Sequence, residues 1–159
     1  MKKILKFLTL IIIVLLFSCG GNDKKEDVLS DKKEPVKKDV KVPASKRIDL
    51  TNKGVGSITS VDLALVVDQD MAANGKEIYD RLCTACHKPD KKFIGPSPKG
   101  ILQRRTPEWV MNMILDPERM VKEDPLAKDL LIEFNGSPMA NQNLTKEEAR
   151  AVLEYFRTL

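Results

Sequence analysis

The chain has 159 residues, of which 42% are hydrophobic, 31% charged and only 5% aromatic; this is one ordinary domain with an attached segment and a core poor in bulky rings. The formal charge of +4 is unevenly spread: the first 18 residues carry +3, residues 20–58 hold ten basic and seven acidic side chains, and residues 59–159 hold fourteen basic and sixteen acidic ones. The part able to fold is slightly acidic, and nothing in it suggests a nucleic-acid binder.

Lys2 and Lys3 precede an apolar run from Phe7 to Phe17. The run is shorter than the roughly 20 residues of a membrane span and has the form of a secretory signal peptide. It ends in Leu16-Phe17-Ser18-Cys19, which resembles a bacterial lipobox: Leu three residues before Cys, and a small residue directly before it. Phe17 departs from the small or aliphatic residue usual at its position. The resemblance implies that residues 1–18 are removed and that Cys19 carries diacylglycerol and a further acyl chain. Two or more chains anchor a protein where one does not. Plain secretion, with Cys19 removed or left free, is the alternative. Gly20 stands where an Asp retains some lipoproteins at the inner membrane, which points to the outer one.

Residues 19–58 are rich in Lys, Asp and Glu, nearly free of aromatics and without helical periodicity. They read as a disordered tether. A polybasic membrane switch fits less well, because acids interleave with the lysines. The domain proper spans residues 59–159. It opens on "SITSVDLALVVDQ", a β-branched stretch with partial alternation, read as an extended segment packed on the domain.

Four helices follow. "DMAANGKEIYDRLC" has Asp68 or Asp70 as its cap, and "TPEWVMNMIL" has Thr106 as cap and Pro107 in the first helical position. "DPLAKDLLIEF" repeats that arrangement with Asp124 and Pro125, and "TKEEARAVLEYFRTL" opens on a capping box from Thr145 to Glu148. Between them lie the loops "HKPDKKFIGPSPKG", "DPERMVKE" and "NGSPMANQN". The expected class is all-α, about four helices with long ordered loops. Such loops need something to pack against, and the sparse aromatic content does not supply it.

The first helix runs into Cys83-Thr84-Ala85-Cys86-His87, which holds two of the three cysteines and the only histidine. This C-x-x-C-H spacing is the attachment pattern of c-type haem. Two thiols separated by two residues can both bond to one porphyrin edge, and the adjacent imidazole can ligate the iron. A redox dithiol would expect a βαβ context, which is absent. A zinc site would need a second ligand pair, and the chain has none to offer. Export to the periplasm also fits, since c-type haem is attached there.

With this motif, residues 70–159 resemble the class I c-type cytochromes. "NGKEIYDRLCTACH" is similar to the family's N-terminal helix and "LEYFRTL" to its C-terminal helix. The resemblance implies that the two cross, with Gly75 meeting Val152 and Tyr79, Tyr155 and Phe156 beside them. "FIGPSPKGI" resembles the Gly-Pro loop in which a proline carbonyl accepts from the proximal imidazole, a role that falls on Pro96; Pro98 departs from the Leu often found there. The family's axial methionine precedes the last helix, which selects Met139. Met120, in an interhelical loop, is a second contender, while Met111 and Met113 read as core. Trp109 is expected to line the haem and reach a propionate, or else to be plain core. Arg104 and Arg105 are further candidates for propionate partners.

The function implied is electron transfer by one haem c per chain, ligated by His87 and Met139, in a monomeric, non-enzymatic carrier anchored to the membrane and serving redox partner proteins. Small cytochromes of this kind feed terminal respiratory reductases, nitrous oxide reductase among them. A haem-based ligand sensor or peroxidase-like protein with a labile sixth ligand is the alternative. Residues 88–105 carry Lys88, Lys91, Lys92, Lys99, Arg104 and Arg105 against Asp90 alone, a basic segment expected at the haem edge and suited to an acidic partner.

Overall fold

The computed structural model describes residues 42–159. The expected signal segment, Cys19 and the first part of the expected tether lie outside the described residues. Within them the chain is all-α, with five helices and a short 3₁₀ turn at Ile101–Gln103. None of these helices is long and apolar enough to cross a membrane.

Helix α1 (Gln69–Leu82) starts at Asp68, whose side chain accepts from the Met71 amide. Three helices then follow that share one start signal: α2 (Pro107–Leu115), α3 (Pro117–Glu123) and α4 (Pro125–Glu133). Proline fixes φ near the helical value and lacks an amide hydrogen that the first turn cannot use. The polar residue before it caps the free amides. Thr106 accepts from Trp109 N–H at 3.1 Å, Asp116 from Arg119 N–H at 3.2 Å and Asp124 from Ala127 N–H at 2.7 Å. Helix α5 (Lys146–Phe156) opens on the capping box of Thr145 and Glu148.

The all-α class holds, with five helices among the described residues where about four were expected. The stretch 116–123, expected as a loop, forms α3. It is under two turns long, and its outward residues Glu118, Arg119, Lys122 and Glu123 hide its apolar face. That face is Pro117 and Met120, both buried.

The core is organised by the crossing of α1 and α5. A Cβ on Gly75 would lie 1.9 Å from the Ala151 carbonyl oxygen and 2.9 Å from the Val152 amide nitrogen, so the two backbones meet with no side chain between them. One turn further along, Tyr79 packs tilted against Tyr155 and edge-on against Phe156, with ring centroids 5.3 and 5.8 Å away. Val152 and Leu153 are fully buried beside them; each contributes about 1.5–3 kcal/mol of burial. Glu154, also fully buried, pairs with Arg150 and Arg157 and accepts from the Asp68 amide at 2.9 Å. Burial opposes its ionisation, but these partners hold its carboxyl below the usual range.

Residues 42–58, expected as the end of a disordered tether, instead form an ordered strap across α2, α3 and α4. Composition misleads here because polar groups hold the strap. Asn52 donates to Asp124 at 2.7 Å and its carbonyl accepts from the Thr106 hydroxyl at 2.6 Å. The buried Asn112 side chain bonds the Lys53 and Ile58 carbonyls and the Ile58 amide. The stretch that follows, 59–68, has no regular structure; Val61 and Leu63 pack on the core, while Leu65 and Val66 face outward.

Candidate functional site

The end of α1 sets the first part of the site. Cys83 is the C-cap residue, and the amides of Cys86 and His87 both donate back to its carbonyl, at 3.0 and 2.8 Å. This extra turn places Cys83, Cys86 and His87 on the wall of one large cavity. The following loop folds back under its own hydrogen bonds. The Gly95 amide donates to the Cys86 carbonyl at 2.8 Å and the Ser97 hydroxyl to the Pro89 carbonyl at 2.6 Å.

That fold-back brings the Pro96 carbonyl oxygen to 2.8 Å from His87 Nδ1. A carbonyl only accepts, so Nδ1 carries the hydrogen and Nε2 keeps its lone pair for a metal. The hydrogen bond also fixes the ring and raises its donor strength. Gly95 makes the approach feasible: a Cβ there would lie 2.4 Å from His87 Cε1 and 2.8 Å from Nδ1.

The remaining walls come from the strap, α2, α3, α4 and the loop before α5. Trp109 and Met113 reach the cavity from α2, Leu130 from α4 and Phe134 from the C-cap of α4. Helix α4 ends in two residues of positive φ, Asn135 and Gly136, with the Gly136 amide donating to the Leu131 carbonyl at 2.8 Å. This left-handed turn reverses the chain and lays Ser137 to Ala140, Met139 among them, along the cavity. The space amounts to about 1110 Å³, part of it open to solvent, and its walls are mainly apolar. None of the lining residues is a carboxylate.

Met120 does not belong to this site. It is fully buried, it lies in α3 rather than a loop, and its sulfur accepts from the Val55 amide at 3.1 Å. Of the two contenders for the axial ligand, only Met139 lines the cavity. Met113, read as core, lines it too. Its spacing of four from Trp109 was the signal, since 109 and 113 share a helix face. Trp109 lines the cavity, but its indole N–H donates to Asp124 at 3.2 Å; it is not directed at a propionate. Ser45, in the supposed tether, is a lining residue that composition could not reveal.

Arg104 and Arg105 complete the lining. Both have buried Nε atoms with no hydrogen-bond partner among the described residues. Desolvation pulls both below the ordinary guanidinium pKa, and for Arg105 the neighbouring Arg104 and Arg47 add to it; arginines stay charged even so. Arg105 is 1% exposed, so it is removed from the basic surface segment in which the sequence placed it.

The donor set fits a haem attached through two thioethers. One wall presents two thiols and an oriented imidazole, the loop before α5 a thioether, and the cavity two cations matched to carboxylates. A redox dithiol fits poorly: burial, with Cys86 adding to it, pushes the Cys83 thiol up to about 11, whereas an attacking thiol needs a lowered value. Among the described residues no three side chains of His, Cys, Asp or Glu cluster to hold a metal ion.

The family model described as Cytochrome c matches residues 72–159. A cytochrome c from Rhodothermus marinus is similar in structure, with a TM-score of 0.63 and 34% sequence identity over 73% of this chain and 92% of that one. An engineered cytochrome c from the same organism gives a TM-score of 0.63 and 34% identity over 73% and 93% of the two chains. The same engineered protein bound to a carbene intermediate gives 0.61 at the same identity and coverage. No curated protein matches.

Proposed function

Because the chain belongs to the cytochrome c family, with haem c and its iron as cofactor and electron transfer as its work, we propose that it acts as a lipid-anchored, monomeric electron carrier facing the periplasm, held at the outer membrane by Cys19. The observation that carries the reading is that Cys83, Cys86, His87 and Met139 all line one apolar cavity. Cys83 and Cys86 would supply the two thioether sulfurs that hold the haem, and His87 Nε2 and the Met139 sulfur would be the donors to its iron. The bound haem supplies a one-electron couple at its iron.

The protein residues tune that couple. Pro96 strengthens His87 as a donor by accepting the Nδ1 hydrogen. The thioether of Met139 favours the ferrous state and raises the potential. The apolar walls keep water away, and Arg104 and Arg105 offer the cations that buried carboxylates require. The lining residues include no acid–base pair of the kind hydrolytic or isomerising chemistry uses. A terminal respiratory reductase such as nitrous oxide reductase is the class of acceptor we assign.

The test is carbon monoxide binding to the reduced, purified protein. The expected result is covalent haem that survives acid-solvent extraction and binds carbon monoxide slowly and weakly, because Met139 must first leave. Rapid, tight binding would make the protein a ligand sensor or peroxidase-like protein.

A further inference from the structure

Arg105 heads the fully buried side chains by size and is 1% exposed. A guanidinium at that depth needs acceptors for its five N–H groups. The acceptors it finds are backbone carbonyls. Nη2 donates to Ala44 at 2.6 Å, and Nη1 to Arg47 at 2.5 Å and to Arg104 at 2.8 Å. Two of these three belong to the strap. Among the described residues no carboxylate bonds the group; Asp49 and Asp124 act on it only through space. The guanidinium lies 5.2 Å from the Trp109 ring centre, and Nε is the buried atom left over on the cavity wall.

The strap is itself locked in place by α4. The Ser45 amide and hydroxyl both donate to Glu133, at 2.7 and 2.6 Å, and Arg47 pairs with Asp129. The Asp49 amide then donates to the Arg104 carbonyl at 2.9 Å, beside the arginine being held. Ser45 also lines the cavity.

The geometry points to a positioning role for residues 44–47: they fix Arg105 as a buried cation for the haem carboxylates and through it raise the reduction potential. This rests on the haem reading above and adds to it that the potential depends on the segment leading out to the tether. A fixed cation favours the reduced site, which carries one positive charge fewer. Released toward solvent, the same cation would act through a dielectric roughly fourfold higher, and its influence would shrink in proportion. Ala44 and Arg47 contribute through their carbonyls, so the strap is a positioning element, while Arg105 is the group that acts.

The test is a redox titration of the full-length, haem-loaded protein in a double-mutant cycle. One arm is Glu133→Ala with Arg47→Ala, which removes both Ser45 bonds and the Arg47–Asp129 pair, and so frees residues 44–47 from α4 at no change in net charge. The other is Arg105→Met. The expected result is a lower midpoint potential in each arm, with the sulfur–iron absorption retained, and no further fall when the strap pair is added to Arg105→Met. Arg105→Lys keeps the charge but cannot span both strap carbonyls, and should fall between wild type and Arg105→Met. It replaces Arg105→Met in the cycle if that variant does not accumulate with haem. A wild-type potential in the strap pair overturns the inference. So does an equal fall in both backgrounds, which would assign the effect to general loosening. Wild-type protein without covalent haem would instead refute the reading on which the inference rests.

Discussion

The ring of His87 lies directly against the backbone of Gly95, where a methyl group would come within 2.4 Å of Cε1. The imidazole is thus held from two sides, by close contact at Gly95 and by the hydrogen bond to Pro96. Gly95→Ala should push the ring off the carbonyl, weaken the imidazole as a donor and raise the potential. Loss of such outer support typically costs about 10–100-fold in metal affinity or activity. Haem loading and midpoint potential check it; a wild-type potential would show that the loop gives way without moving the ring.

The two methionines once in contention should separate cleanly. Met139→Ala should abolish the weak red-edge absorption of a sulfur–iron bond and lower the potential. Met120→Ala should leave that band unchanged and cost about 2–5 kcal/mol of stability through the cavity it creates, with the Val55 amide left unbonded as well. Denaturant melts and absorption spectra of both variants decide this. Loss of the band in Met120→Ala alone would reverse the assignment.

Gly75→Ala tests the helix crossing. Its methyl group would meet the backbone of Ala151 rather than the end of a flexible side chain, so relief requires the helices to part. Overpacking of this kind costs about 1–3 kcal/mol or more, a fall of several degrees in the melting temperature. Thermal unfolding measures it, and an unchanged melting temperature would mean that α1 and α5 are not in contact.

Cys19→Ser should release the protein to the soluble periplasmic fraction without reducing haem content, since Cys19 is remote in sequence from Cys83 and Cys86. Fractionation followed by a haem stain measures both at once. Retention in the membrane would place the anchor elsewhere.

The loop after His87 exposes Lys91 and Lys92 and half-exposes Phe93 and Ile94; Ile94 lines the cavity, and Lys92 lies 4.5 Å from the ring centre of Phe134, another lining residue. Docking of an acidic partner there should make electron transfer slow as salt rises, the Debye length falling to about 8 Å at physiological ionic strength. Lys91→Glu with Lys92→Glu should slow transfer without altering the absorption spectrum. A rate indifferent to salt and to charge reversal would leave these lysines as a solvated loop.

What could be read from the sequence was local. Cys83, Cys86 and His87 stand together because five consecutive residues at a helix end cannot do otherwise. The starts of α2, α4 and α5 were legible because capping residues and prolines act within one turn. The same signal stood at Asp116 and Pro117, and α3 was missed because so short a helix shows too little periodicity to register. Met139 could be selected only by resemblance, since nothing local ties residue 139 to residue 87. The strap was the least legible part. It is held by single hydrogen bonds to residues more than fifty positions away, such as Asn52 to Asp124, and a composition of lysines and aspartates carries no trace of them.

The contact between Gly75 and Ala151 also orders events in time. It joins residues 76 positions apart. Chains emerge N-terminal end first, and distant contacts form late because closing a long loop is entropically slow. Helix α1 therefore waits for α5 as its packing partner, and the wall bearing Cys83 and Cys86 exists as a loose segment before any cavity encloses it. The thiols are open to bond formation during that interval, and α5, which follows them in the chain, is the element that closes it.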